Sequence, residues 1–518
     1  MKNQKPRSMI QRNTKNQYPN TKVNWHSLVT LKFGSWSFFV FWILALGVFA
    51  SGVLTASAAA PRPNIIFILA DDLGINDLAC YGRKEHRTPN LDRLAAQGTR
   101  FTSAYCAQSI CSPSRAAIMT GKAPARLHLT TYLPGRPDCV SQKLQHPVMR
   151  QQLPVEEQTL AEHLKAAGYA TACIGKWHLG GKGFLPADQG FDVYRPGKAV
   201  TKPSATEGGK GEYELTRWAE EFMETNRARP FFLYLAHDTP HLPYSARADL
   251  VERNARAFNP TYAAVIEAMD DAVGRLLAKI DSLGIATNTI VIFTSDNGGV
   301  HMPEGSHNTI THNAPYRAGK GYLYEGGLRI PLIVRWPGEI AAGRVLADPF
   351  INTDWLRTLT HLVGLQVPGF SDGVSMAAVL TGTDQPPVRP LFWHFPHYNN
   401  QGGQPAGAMR DGDWKLVEHY EDGRLELFDL SRDIGETNNL ALAEPRRAAR
   451  MAKALARWRT EIGAQTNVAN PNFDQAAYRS LYVDYVPSME NLAQTDDAGR
   501  ERAVEWRKKM NAVVPKGK

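Results

Sequence analysis

The 518-residue sequence predicts an α/β fold, in which a large, mainly parallel or mixed sheet is sandwiched by helices and a smaller C-terminal subdomain combines an antiparallel sheet with a helix. Short apolar runs alternate with amphipathic stretches from Asn64 onward, which is typical of β-α units. Near Pro386 this alternation gives way to short strands separated by Asp-Gly turns. The length suits one large domain and one smaller one.

The apolar runs predict strands that are buried on both faces, because no charged residue interrupts them. In chain order they include NIIFILA, YATACIG, PFFLYLAH, TIVIFTS and IPLIVRWPG. Between them, the stretch TPNLDRLAAQG predicts a helix that begins at Thr88 and Pro89 and ends at Gly98. A longer helix is predicted from Tyr262 to Leu283.

The C-terminal subdomain is predicted from three strand-like stretches and one helix. The stretches are LFWHFP, GAMRDGDWKLVEHY and RLELFDL, and an Ala- and Arg-rich helix from about Glu444 to Ile462 follows them. We therefore assign residues 1–60 to an export signal, 61–385 to a catalytic domain, and 386–518 to an α+β subdomain with a tail.

The excess of basic residues is concentrated at the N-terminus. The chain has 59 Lys and Arg against 50 Asp and Glu, and its first 60 residues hold seven basic residues and no acidic one. The remainder therefore carries 52 basic against 50 acidic residues. This near balance argues against a nucleic-acid partner.

The first 60 residues have the organisation of an export signal. A basic segment precedes the apolar run FFVFWILALGVFASGVL and the small-residue run TASAAA, which predicts cleavage near Ala58 or Ala60. We expect a periplasmic or secreted protein. The alternative is that the run stays uncleaved and anchors the protein in the membrane, since it approaches spanning length.

Oxygen-bearing side chains follow two of the predicted strands directly. Asp71 and Asp72 end one strand, and Asp296 and Asn297 end another. In an open parallel sheet, ligands gather at the carboxyl ends of the strands. Three carboxylates and an amide carbonyl favour Ca²⁺ or Mg²⁺ over zinc.

A third group of chemically informative residues is the stretch CSPSRAAIMTG, which begins at Cys111. Ser112 is a suitable helix cap and Pro113 suits the first turn, so Cys111 is expected at a helix N-terminus, where an anion is favoured and a thiolate would be a nucleophile. Arg115 adds a fork of donors one turn later. Cys111 is one of five cysteines, and the pairing of the other four is left open.

The sequence Cys-Ser-Pro-Ser-Arg, followed by Thr120 and Gly121, resembles the signature of the type I, formylglycine-dependent sulfatases of the alkaline phosphatase superfamily. The resemblance runs from about Pro63 to about Leu440. It implies that a formylglycine-generating enzyme oxidises Cys111 to formylglycine, and that the protein is a sulfuric ester hydrolase.

The same resemblance implies roles for further residues. Ca²⁺ would be held by Asp71, Asp72, Asp296, Asn297 and the converted Cys111. Asp296 would also accept a proton from the nucleophile, His241 would protonate the leaving alcohol, and His178 would act as a base in the second step. His237 is the less favoured candidate for the acid. The expected catalytic residues are Cys111, Arg115, Lys176, His178, His241 and Lys320.

The expected substrate is a sulfated carbohydrate or an aryl sulfate. Two alternatives are a phosphoester or phosphonate hydrolase of the same superfamily, and a non-catalytic protein that binds sulfated glycans through an unconverted Cys111. The first is disfavoured because the chain lacks the additional His and Asp residues that the two-zinc site of phosphatases in this superfamily requires. The second is disfavoured by the complete set of Lys, His and Asp residues.

Overall fold

The computed structural model of the protein describes residues 62–304, 310–367, 369–484 and 497–515. The predicted export signal lies outside these residues and stays a prediction. In the described part of the chain, no helix has the length and apolar character needed to cross a membrane.

The strands alternate with helices through the first two thirds of the described chain. In chain order the strands are β1 (Asn64–Ala70), β2 (Thr99–Phe101), β3 (Ala104–Tyr105), β4 (Leu144–Gln145), β5 (Ala170–Gly175), β6 (Val193–Pro196), β7 (Phe231–Ala236), β8 (Thr289–Ser295), β9 (Leu332–Arg335), β10 (Arg344–Leu346), β11 (Phe350–Ile351), β12 (Leu391–Phe395), β13 (Ala406–Asp411), β14 (Trp414–His419), β15 (Leu425–Asp429) and β16 (Val468–Ala469).

The α-helices of the described residues differ widely in length. They are α1 (Pro89–Gln97), α2 (Cys111–Thr120), α3 (Pro124–Leu127), α4 (Leu160–Ala166), α5 (Glu212–Asn226), α6 (Ala248–Arg253), α7 (Pro260–Ser282), α8 (Glu325–Leu328), α9 (Trp355–Leu362), α10 (Ala377–Thr381), α11 (Pro445–Glu461), α12 (Gln475–Tyr478) and α13 (Asp497–Ala512).

Eight strands form the main sheet, in the order β10-β2-β9-β8-β1-β7-β5-β6. All neighbouring pairs are parallel except the two that β9 makes with β2 and β8. The predicted mixed, mainly parallel sheet is confirmed. Strand β9 runs against its neighbours, so the apolar run IPLIVRWPG does not extend the parallel part.

Successive residues of β1 enter two different hydrophobic cores. Ile65, Phe67 and Leu69 belong to one core, together with residues of α2, α4 and α9. Ile66 and Ile68 belong to the other, with residues of α1, α5 and α7. Because side chains alternate across a strand, this division places helices on both faces of the sheet, as the uninterrupted apolar run predicts.

A second sheet of four antiparallel strands, β12-β13-β14-β15, follows the main one. Gly412 and Gly423 stand in its two Asp-Gly turns with positive φ angles of 60° and 72°, a conformation that glycine adopts without strain. Helix α11 packs on this sheet through Ala448, Met451 and Leu455. The predicted smaller antiparallel subdomain is therefore confirmed, while its exact boundary at residue 386 stays a prediction.

Candidate active site

The ends of β1 and β8 bring the four predicted oxygen ligands together. These strands are parallel neighbours, and Ala70 pairs with Ser295 at their carboxyl ends. The residues that follow are then in contact: the Asp72 backbone N–H donates to Asp296 Oδ1 at 3.1 Å, and Asn297 Nδ2 donates to Asp72 Oδ1 at 2.8 Å. Asp71, Asp72, Asp296 and Asn297 are all buried.

Cys111 lies against this cluster. It is the first residue of α2 and only 2% exposed, and its Sγ lies 3.9 Å from Asp72 Oδ1. The expected helix cap at Ser112 is wrong. The extended backbone of Ile110 precedes the helix, and the Ser112 hydroxyl instead accepts the backbone N–H of Leu133 at 3.2 Å. Gly121 ends α2 with a φ of 66°.

The cluster has the composition and spacing of a cation site. One potential ligand atom from each of Asp71, Cys111 and Asp296 lies within 4.8 Å of the others. Asp71 Oδ1 and Asn297 Oδ1 are buried and make no hydrogen bond. Buried oxygens without partners are costly, and carboxylate and amide oxygens are the ligands of a hard cation. The residues present therefore fit Ca²⁺.

Three basic side chains surround these acids. Arg115 lies at 2.8 Å from Asp296 Oδ2 through Nη2, and its Nη1 donates to the Lys176 carbonyl at 3.0 Å. Lys176 Nζ contacts Asp71 Oδ2, and Lys320 Nζ lies 2.7 Å from Asp72 Oδ2. Arg115, Lys176 and Lys320 therefore surround Cys111 and the acids with three positively charged side chains. An anion bound beside Cys111 would have these three residues as N–H donors.

Burial and neighbouring charges shift the pKa values of Asp71 and Asp296 in opposite directions. Burial alone would raise the pKa of Asp71, but Lys176, His241 and Arg115 outweigh it, so the pKa lies well below its ordinary value. Asp296 keeps a raised pKa of about 7, because burial and the neighbouring charge of Asp71 outweigh Arg115. Burial also raises the pKa of the Cys111 thiol. The unmodified thiol is thus protonated at neutral pH.

Among the histidines, His241 lies beside the acids. Its Nε2 is 3.6 Å from Asp72 Oδ2, and its Nδ1 lies 2.7 Å from the Leu242 carbonyl, which can only accept. His237, the less favoured candidate, is completely buried, and neither of its ring nitrogens has a hydrogen-bond partner. The geometry therefore favours His241.

His178 lies near the cluster and interacts electrostatically with Lys176, Arg115 and Asp71. Its Nε2 lies 3.0 Å from the Leu133 carbonyl, and its Nδ1 is buried without a partner. Burial, then the charge of Lys176, lowers its pKa to about 3, so the ring is neutral. A neutral imidazole with a free nitrogen is chemically able to accept a proton.

Sequence reasoning missed the residues that hold the His241 segment in place. The Thr239 hydroxyl donates to Glu212 Oε1 at 2.9 Å, and the Thr239 carbonyl accepts the backbone N–H of Asp71. Lys210 Nζ donates to the Pro243 carbonyl at 3.1 Å. Glu212 and Lys210 lie in a glycine-rich stretch with no recognisable motif, so no local signal identified them.

The five cysteines are all free thiols. Four of them are buried, and Cys80 is half-buried. The pairing that the sequence left open is therefore resolved in favour of unpaired cysteines.

The chain is similar to proteins of known families. Residues 63–365 match the sulfatase family, and residues 318–461 match the C-terminal region of N-sulphoglucosamine sulphohydrolase. Arylsulfatase A of Homo sapiens is 35% identical over 449 residues, which are 74% of this chain and 84% of that protein. N-acetylgalactosamine-6-sulfatase of Mus musculus is 36% identical over 386 residues, covering 68% and 72%.

A solved structure, Ps i-CgsB in complex with k-i-k-neocarrahexaose, has the same fold. It superposes with a TM-score of 0.68 at 28% identity, over 77% of this chain and 93% of that one. The family match covers more than half of the chain, and it includes β1, α2 and β8, which carry the acids and Cys111. The chain therefore belongs to the type I sulfatases of the alkaline phosphatase superfamily, which are sulfuric ester hydrolases.

Proposed function

We propose that the protein hydrolyses sulfate esters of carbohydrates, using a formylglycine made from Cys111 and a Ca²⁺ ion held by Asp71, Asp72, Asp296 and Asn297. The observation that supports this most directly is the position of Cys111. It is buried at the first residue of α2, its ligand atom lies within 4.8 Å of those of Asp71 and Asp296, and Arg115, Lys176 and Lys320 act on it electrostatically.

When present, the formylglycine hydrate supplies a nucleophilic hydroxyl, and Ca²⁺ lowers the pKa of that hydroxyl. Asp296, whose carboxylate lies within 4.8 Å of the ligand atom of residue 111, accepts the proton that this hydroxyl loses. Arg115, Lys176 and Lys320 bind and orient the sulfate oxygens and stabilise the charge that develops on them.

His241 donates a proton to the leaving alcohol. Burial, then the charges of Lys176 and Lys320, lowers its pKa in the free protein. A bound sulfate adds negative charge beside the ring, which favours the protonated imidazolium. His178, neutral and with a free Nδ1, accepts the proton of the second hydroxyl when the sulfate is released.

The carbohydrate assignment is supported by the relatives. N-acetylgalactosamine-6-sulfatase carries a sugar in its name, and the similar solved structure contains a neocarrahexaose. The proposed N-terminal export signal also favours this assignment, because an exported enzyme meets such polymers outside the cytoplasm. Modification by a formylglycine-generating enzyme would take place before export.

The decisive experiment is mass spectrometry of the tryptic peptide that ends at Arg115, on protein from its native host, with an aldehyde trap. We expect a trapped aldehyde at position 111. In parallel, Cys111→Ala should lower kcat on an aryl sulfate by at least about a thousandfold while the protein stays folded. An unmodified thiol in active enzyme would refute the formylglycine proposal.

A further inference from the structure

Helix α11 carries an unusual concentration of positive charge. Its 17 residues include six basic residues and one acid, Glu461. Outside this helix and the first 60 residues, the chain has 46 basic against 49 acidic residues. The helix is therefore a basic element on an otherwise slightly acidic protein, and such a local excess governs which charged partners approach.

Four of these residues form one stripe along the solvent side of the helix. Arg446, Arg450, Lys453 and Arg457 are all exposed, and their spacing of four, three and four residues keeps them within about 60° of the helix circumference. The stripe is about 16 Å long, at 1.5 Å per residue. The opposite side of α11 is the one that packs on the antiparallel sheet.

Most of the positive charges of this stripe are not neutralised by an acidic residue of the protein. Arg457 Nε lies 3.4 Å from Glu461, and both side chains are more than half exposed, so that pair is weak. Arg446, Arg450 and Lys453 form no ion pair with the residues that the structure describes. The exposed residues between them include Ala449 and Ala456, whose short side chains leave room for a chain lying along the stripe.

A cavity of about 420 Å³ adjoins the C-terminal end of the stripe. Ala456, Arg459 and Thr460, which are close to Arg457 along the helix, belong to its wall. The wall also includes His394, Tyr420 and Gln465, and Gln465 Oε1 has no hydrogen-bond partner. The volume is of the size of a small-molecule site.

We propose that the α11 stripe is a docking surface for a sulfated polysaccharide, separate from the catalytic cluster, which holds the polymer while its sulfate esters are hydrolysed. The polymer class rests on the proposed function, and the stripe itself rests on its charge and exposure. The surface does not fit a membrane helix, since the apolar face of α11 is buried in the sheet and unavailable for insertion. Tethering raises the effective concentration of nearby sulfate esters at the active site.

The test compares the full-length protein with two triple variants of equal charge change. Arg446→Gln, Arg450→Gln and Lys453→Gln remove the stripe, whereas Arg93→Gln, Arg227→Gln and Arg256→Gln remove three exposed charges elsewhere. Binding to immobilised dextran sulfate and to uncharged dextran is measured over a salt series. Hydrolysis of 4-nitrophenyl sulfate and the melting temperature are measured for all three proteins.

We expect the stripe variant to bind dextran sulfate at least about tenfold more weakly, with a logarithmic salt slope reduced by about two to three, since each neutralised contact contributes roughly 0.7 to 0.9. The control variant should bind like the wild type, none should bind dextran, and 4-nitrophenyl sulfate turnover should agree within about twofold. Lys453→Glu alone is a second variant of the stripe, which changes only one residue and is therefore less disruptive to the helix.

Equal binding by the wild type and the stripe variant would overturn the proposal, and so would equal losses in the two triple variants. Comparable binding of duplex DNA or phosphatidylglycerol vesicles, lost in the same variant, would overturn the choice of a sulfated polysaccharide as partner. If the expected binding pattern appears but no aryl sulfate is hydrolysed, the docking surface stands and the proposed catalytic function fails.

Discussion

Glu212 and Thr239, 27 residues apart, are joined by a fully buried hydrogen bond of 2.9 Å, in which the Thr239 hydroxyl donates to Glu212 Oε1. The second oxygen of Glu212 accepts the backbone N–H of Lys210 at 2.8 Å. Thr239 stands two residues before His241, so this pair fixes the start of the segment that carries the proposed acid.

We predict that Thr239→Val impairs substrates according to their leaving group. An alcohol leaving group needs a well-placed proton donor, whereas a nitrophenolate does not. We expect kcat on a sugar sulfate to fall about 10- to 100-fold, and kcat on 4-nitrophenyl sulfate to fall less than about threefold. The measurement is steady-state kinetics with both substrates.

Thr239→Ser is the matched control, because it keeps the hydroxyl donor and should retain most of the activity. His241→Ala provides the reference pattern for loss of the acid. Equal losses on both substrates in Thr239→Val would show that Thr239 only maintains the fold. Equal losses in His241→Ala would show that His241 is not the acid.

Removal of the metal should lower thermal stability through Asp72. A cation that binds only the folded protein stabilises it by about 2.7 kcal/mol at 100 times its Kd. We therefore expect a chelator to lower the melting temperature of the wild type and added Ca²⁺ to restore it. Asp72→Asn should respond much less, while Asp372→Asn, which alters a salt bridge with Arg126, should respond like the wild type. The same chelator response in all three proteins would place the metal elsewhere.

Lys415 should be critical for stability. It is completely buried, and its Nζ lies 2.9 Å from Glu325 Oε1 and 2.8 Å from Glu436 Oε1. Lys415→Met leaves two buried carboxylates without their shared cation, which costs about 3 to 5 kcal/mol. Thermal melting measures the loss. The double variant Lys415→Met and Glu436→Gln should recover part of it, and a double variant less stable than the single one would contradict this account.

Stability should also depend on pH through Glu426. Burial alone would raise its pKa, but His419, whose Nε2 lies 3.5 Å from Glu426 Oε2, followed by Tyr324 and Arg317, outweighs burial and lowers the pKa to about 2. The folded pKa then lies below the unfolded value of about 4.3, so the stabilisation is complete above pH 5 and is lost as the pH falls toward 2.

Melting curves of the wild type and Glu426→Gln at pH 7 and pH 3 check the sign of this dependence. The wild type should be more stable than the variant at pH 7, by at most about 3 kcal/mol, and the gap should narrow at pH 3. A gap that stays constant or widens at acidic pH would exclude the lowered pKa.

The parts of the structure that the sequence predicts well are those with local causes. Strand β1 is recognisable because its apolar run stops at the charged residue Asp71, which follows it. Helix α1 is recognisable because Pro89 begins it and Gly98 follows its last residue. The meeting of Asp71 with Asp296 also follows from sequence, since the carboxyl ends of parallel strands lie at one edge of a sheet.

The parts that the sequence could not predict depend on partners far along the chain. Thr239 meets Glu212, and Lys415 meets Glu325, 90 residues away, and neither pair leaves a pattern in its own neighbourhood. The wrong cap at Ser112 has the opposite cause. Its local pattern was correct for a cap, but the extended residue Ile110 is the cap, and the helix begins two residues earlier, at Cys111.

The buried trio of Glu325, Lys415 and Glu436 also limits how this protein can be recombined with its relatives. All three residues fall within 318–461, the stretch that matches the C-terminal region of N-sulphoglucosamine sulphohydrolase. A chimera joined at residue 318 inherits the trio from one parent, with both of its ion pairs intact. A chimera joined at 386 takes Glu325 from one parent and Lys415 from the other, so it folds only if both parents encode matching charges there.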